Sequence, residues 1–147
     1  MRKVLFICIH NSARSQIAEA LLNNLFSKNF IAYSAGVKPA EEINPYVVKA
    51  LAEIGIDISR NRPKSLEEFY GWEFDYVVTV CDEGKEVCPF FPGGKNYIHK
   101  SFPDPSSLTG SEDEIMSQVR AIRDEIKDWL INTFSKFGEG GAIELRL

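Results

Sequence analysis

Three cysteines, an arginine and an aspartate are the residues of this 147-residue chain whose types and spacing could do chemistry. Cys8 ends the run "VLFIC", and Arg14 follows six positions later. The residues between them, Ile9, His10, Asn11, Ser12 and Ala13, are enough to curl into a semicircle. Backbone N–H groups pointing into such a curl, with the open donors of a helix N-terminus, make a nest for an anion. Asn11 tolerates the left-handed conformation that a tight loop often needs. Arg14 would close the ring with a planar fork suited to a tetrahedral oxyanion. The same positive field favours the thiolate of a cysteine at its centre, and Ser15 is placed to donate a hydroxyl to that sulfur. A buried strand-end cysteine and a surface arginine would give the same spacing.

A second stretch, "VCDEGKEVCPFFP", carries Cys81 and Cys88 straight after the strand-like "FDYVVTV". If "CDEGKEVC" is helical, the two thiols share a face but stand about 10 Å apart along the axis. A disulfide needs Cα atoms within about 7 Å, so an intact helix forbids the pair. Gly84 and Pro89 weaken that helix, and the segment could loop out at modest cost. Asp104, in "DP", is ordinarily a turn residue. Beside a thiolate attacking an oxyanion, it could instead protonate the departing oxygen. Zinc held with His10 and His99 is poorly supported, because no close cysteine pair of the usual spacing exists. His10 reads as a solvent-facing loop residue and His99 as a strand residue.

These groups need elements to hold them. "KVLFICI" reads as a central strand covered on both faces. From Ser12 to about Lys28 the period becomes helical, with Ile17, Leu21, Leu22 and Leu25 on one stripe. "FIAYSAG" reads as a second strand. "NPYVVKALAEIG" is a helix with Asn44 as N-cap, Pro45 in the first position and Gly55 as its stop. A short helix is expected around "SLEEFY", strands at "FDYVVTV" and "NYIHKSF", and a loop at "PDPSSLTGSEDE". Ile115, Val119, Ile122, Ile126 and Leu130 mark a long last helix with an acidic start. Trp72, Phe90 and Phe91 read as core residues. Strands alternating with helices imply an α/β fold: a single-domain parallel sheet of about four strands with helices on both faces. Ligands then bind at the carboxyl ends of strands, where Cys8 lies.

Composition bounds the partners. The length fits one domain, expected at 1–137, with a glycine-rich tail at 138–147 that either frays or adds an edge strand. A net charge of −4 and no Lys/Arg-rich run argue against a nucleic-acid binder. The first apolar run is too short for a signal peptide or a membrane span. The cytoplasm is therefore the expected compartment, where three cysteines argue against a structural disulfide framework.

"VLFICIHNSARSQIAEALL", together with "YSAG" at 33–36 and the "DP" of Asp104 and Pro105, resembles the low-molecular-weight protein tyrosine phosphatase fold, including its thioredoxin-coupled arsenate reductase branch. The resemblance implies a nucleophilic Cys8, an oxyanion-binding Arg14, a thiol-stabilising Ser15 and Asp104 as acid. It also implies a relay. Cys8 attacks arsenate, Cys81 attacks Cys8 to release arsenite, Cys88 attacks Cys81, and thioredoxin reduces the resulting Cys81–Cys88 disulfide. "FFPGG" could help thioredoxin dock, although it reads first as a turn.

Ser106 and Ser107 stand where phosphatases of the family carry aromatic residues, which favours a shallow site for a small inorganic oxyanion. No tightly bound cofactor is implied. Asn11, Glu19 and Ser34 match part of a family potassium site, but Arg62 and Lys64 would repel a cation there. A phosphatase needing only Cys8, Arg14 and Asp104, or a redox and oxyanion sensor without turnover, are the alternatives.

Overall fold

The apolar run at the start of the chain forms strand β1 (Arg2–Cys8) in the computed structural model, which describes residues 1–82, 84 and 86–137. The tail at 138–147, including its expected fraying or edge strand, lies outside the described residues. β1 pairs in parallel with β2 (Phe30–Gly36), Cys8 standing opposite Gly36. On its other side it pairs with β3 (Phe74–Thr79), Ile7 standing opposite Thr79. β4 (Gly94–His99) adds to β3, giving the order β2-β1-β3-β4. Connections leave β1 toward one side and return to the other, so the crevice at the carboxyl ends of β1 and β3 is the switch point where such sheets bind ligands.

Helix α1 (Arg14–Leu25) begins two residues later than the periodicity predicts, because Ser12 and Ala13 are drawn into the preceding loop. α2 (Pro45–Ala52) is capped by Asn44, whose side chain accepts the Tyr46 N–H at 2.9 Å. Gly55 takes a positive φ of 83° just beyond α2, and the Ile56 N–H returns to the Leu51 carbonyl. α3 (Glu112–Phe134) starts on a capping box of Ser111 and Glu114. β4 runs from Gly94 to His99 rather than from Asn96 onward, and Phe102 is core rather than strand.

Alternate residues of β1 divide the interior. Val4, Phe6 and Cys8 face the larger core, filled by Ile17, Leu21 and Leu22 of α1, Val47 and Leu51 of α2, and Val119, Ile126 and Phe134 of α3. Leu5 and Ile7 face a smaller core closed by Leu66 and Phe69 of a 3-10 turn (Leu66–Phe69) and by Phe91. Both faces are thus covered, the second by one short helical turn. Among the expected core aromatics, Phe91 is buried at 1% exposure, whereas Trp72 is 40% and Phe90 70% exposed. Trp72 packs on Phe69 and Phe74 at the rim of the smaller core, which has no long helix to cover it, and Phe90 stacks on the exposed Tyr97 of β4. No helix among the described residues is long and apolar enough to cross a membrane.

Candidate oxyanion and thiol site

Cys8 ends the central strand at 2% exposure, and the chain then turns around its sulfur. Asn11 sits at φ 51°, the left-handed conformation expected of it. Its N–H donates to Cys8 Sγ at 3.3 Å. The carbonyls of Ile9, His10 and Ser12 turn outward, accepting from the N–H groups of Lys38, Ala40 and Asn44 at 2.9, 3.0 and 2.9 Å. The loop thereby keeps its carbonyl oxygens off its inner side, as a cradle for an anion requires. Ser15 Oγ lies 2.8 Å from Cys8 Sγ and accepts from Asn11 Nδ2 at 2.7 Å, which leaves the hydroxyl proton free for the sulfur.

Two further residues hold this loop. Gln16, fully buried, donates to both the backbone and the side-chain oxygen of Asn11 at 3.2 and 3.0 Å. Gly36 lies under the loop so closely that a Cβ there would meet Ile9 O at 2.5 Å and Asn11 N at 2.9 Å. The sequence places both residues in the stretches that carry the resemblance, but assigns neither a role in the site. The crossing of β2 beneath the loop gives Gly36 its role, and the turn at Asn11 gives Gln16 its own.

Arg14 is buried at the mouth of the cradle, and Asp104 Oδ2 stands 3.8 Å from its Nη2. The second Asp104 oxygen accepts the Ser106 N–H at 2.9 Å, which fixes the carboxyl beside the arginine. Burial works against the Arg14 charge, but Glu86, Cys8 and Asp104 around it outweigh that cost and hold it cationic. Glu86, a residue that sequence reading did not single out, takes both ends of the guanidinium. Arg14 Nη1 and Nη2 donate to its two oxygens at 2.6 and 3.0 Å. That bond, aided by the Asp82 N–H, keeps the Glu86 carboxyl below its ordinary range.

Cys8 is the last residue of β1 and Cys81 lies two residues beyond β3, and the Val80 N–H donates to the Ile7 carbonyl at 3.0 Å, so the two cysteines stand at neighbouring strand ends. Cys81 and Cys88 are joined in a disulfide with Cα atoms 6.0 Å apart. That separation is well short of the spacing that seven residues of intact helix would set between them. Gly84 donates its N–H to Asp82 Oδ1, and Glu86 its own to the Asp82 carbonyl. His10 lies on the loop's outer side with Nδ1 3.0 Å from the Lys38 carbonyl, and His99 Nδ1 meets Thr79 Oγ1 at 2.7 Å.

The partial potassium match is already satisfied by the protein. Lys64 Nζ stands 3.7 Å from Glu19 Oε1 and 3.5 Å from Ser34 Oγ, and Ser34 Oγ donates to Glu19 at 3.1 Å. Asn11 Oδ1 accepts from the Lys64 N–H and from Gln16. An ammonium thus holds the place of a monovalent cation, and these residues do not fit a resident potassium ion. Arg62, the other basic residue expected to oppose a cation, turns away into an exposed pair with Glu68 at 2.8 Å.

Residues 3–139 match the family described as low molecular weight phosphotyrosine protein phosphatase. The chain is 38% identical over 136 residues to an arsenate reductase of Halalkalibacterium halodurans, covering 92% of this chain and 96% of that one. Among solved structures, an arsenate reductase in the phosphate binding state superposes with a TM-score of 0.78 at 27% identity, covering 94% of this chain and all of that one. A thioredoxin-dependent arsenate reductase of Corynebacterium glutamicum superposes with a TM-score of 0.62 at 34% identity, over 90% of this chain and 63% of that one.

Proposed function

This chain belongs to the low molecular weight phosphotyrosine protein phosphatase family, and we infer that it works as a thioredoxin-dependent arsenate reductase. The observation that carries this reading is the Cys81–Cys88 disulfide seated one strand away from the Cys8 cradle. A phosphatase of this family uses the cradle and has no need of the other two thiols.

Arsenate is held by the N–H groups of residues 9–14 and by the Arg14 fork. The Cys8 thiolate attacks arsenic, forming a sulfur–arsenic bond, and one arsenate hydroxyl takes a proton from Asp104 and departs as water. Ser15 and the Asn11 N–H steady the sulfur before attack. The Cys81 thiolate then attacks Cys8 Sγ. The electron pair of the sulfur–arsenic bond stays on arsenic, which leaves as arsenite, two electrons richer. Cys88 attacks Cys81 Sγ and expels Cys8 as thiolate, so the oxidation ends up in the Cys81–Cys88 bond. The two thiols of reduced thioredoxin take it from there. The sheet arrangement supports this order: Cys8 and Cys81 are both buried at adjacent strand ends, whereas Cys88 is half-buried beside exposed Val87 and Phe90.

The test is arsenate-dependent NADPH oxidation coupled through thioredoxin and thioredoxin reductase. Wild type is expected to turn over continuously and Cys88→Ser to stop after about one turnover. Aryl phosphate hydrolysis that is insensitive to Cys88→Ser, without arsenate-dependent oxidation, would leave a phosphatase.

A further inference from the structure

Glu86 lies inside the turn that the Cys81–Cys88 disulfide closes, yet it points back into the cradle. Its two oxygens take Arg14 Nη1 and Nη2, in the paired geometry with which a guanidinium also grips two oxygens of a tetrahedral anion. One of the same oxygens accepts the Asp82 N–H at 2.9 Å, and the Glu86 N–H donates to the Asp82 carbonyl at 2.8 Å. The closed turn itself therefore aims the carboxylate at the arginine.

We propose that Glu86 is an internal competitor for the oxyanion, seated on Arg14 while Cys81 and Cys88 are joined and withdrawn once they are reduced. This rests on the reading of the cradle as the oxyanion site and adds a determinant of when it accepts a ligand. The chemistry gives such a device a purpose. After one cycle Cys8 is again a free thiol, whereas Cys81 is locked in the disulfide. A second arsenate captured then would form an adduct that no neighbouring thiol could resolve. Glu86 takes the Nη1–Nη2 edge of Arg14 and leaves the buried Nε–H without a partner among the described residues. A tethered carboxylate competes for that edge at high effective concentration, and its negative charge repels an anion approaching the rest of the guanidinium. Reduction opens the ring between residues 81 and 88, and the turn loses the constraint that aims Glu86 inward.

Inorganic phosphate titrated calorimetrically into the disulfide form and the phosphine-reduced form tests this without turnover. Reduced wild type is expected to bind at least about tenfold more tightly than oxidised wild type. In Glu86→Ala and Glu86→Gln the two redox forms are expected to agree within about twofold, through a gain by the oxidised form. Equal affinity in the two forms of wild type would overturn the proposal. So would an oxidised Glu86→Ala protein that binds as weakly as the oxidised wild type. A redox ratio that holds while the coupled assay shows no arsenate reduction would sink the reductase reading and leave the gate standing. A reduced wild type that binds no phosphate would overturn both.

Discussion

Asn11 concentrates more of the site than any other residue beside the thiol. It supplies a left-handed backbone turn, an N–H to Cys8 Sγ and an amide that bonds Ser15 on one end. The other end of the amide accepts from Gln16 and from the Lys64 N–H. Asn11→Ala loses those side-chain bonds and sets a Cβ without local compensation in the left-handed region. A loss of about 2–4 kcal/mol is expected in urea unfolding of the reduced protein. Asn11→Gly relieves only the backbone part and should recover about 1 kcal/mol of it. If the two variants are equally stable, the left-handed turn is not a source of strain. In both, Ser15 loses the donor that orients its hydroxyl, so arsenate turnover should fall even where the fold survives.

The elements are where sequence and structure part company in an instructive way. β1, β2 and the cap of α2 could be read from the chain because their signals are local: a continuous apolar run, a run ending in glycine, an Asn-Pro pair. Cys8 and the pair Arg14 and Ser15 flank one short loop, so their meeting was legible too. Glu86 was not, since its bond to Arg14 spans 72 positions and depends on a turn that the Cys81–Cys88 pairing creates. The Lys64 ammonium escaped for a similar reason: repulsion of a cation was foreseen, occupation of the place by the lysine itself was not. Gly36 shows the tie between element and site most directly. Its strand passes under the cradle with no room for a methyl group, the nearest contacts being backbone atoms that cannot swing aside. Gly36→Ala should therefore cost about 1–3 kcal/mol of stability and weaken phosphate binding to the reduced protein more than it disturbs the sheet. Unchanged phosphate affinity at normal melting temperature would mean that the loop has slack the geometry denies it.

For the whole molecule, pH dependence reports how the site is fastened to the fold. Glu53 and Glu68, on the surface, are held below the ordinary carboxylate range by their arginine partners. Each contributes stability above its unfolded value that is lost as pH falls through the folded one. Glu19 runs the other way. Burial between α1 and β2 pushes its carboxyl up, against the pull of Lys64 and the hydrogen bond from Ser34. A carboxyl raised on folding binds its proton more tightly in the native state, so its contribution is complete below the unfolded value and is lost as pH rises through the folded one. The stability of wild type relative to Glu19→Gln should accordingly decline with rising pH above the ordinary glutamate range, then level off once Glu19 is ionised in both states. Urea unfolding of the two proteins across that range measures the difference directly, with the surface pairs common to both and cancelling. A difference that grows with pH would show that Lys64 outweighs burial, and that the buried pair strengthens the fold as it ionises.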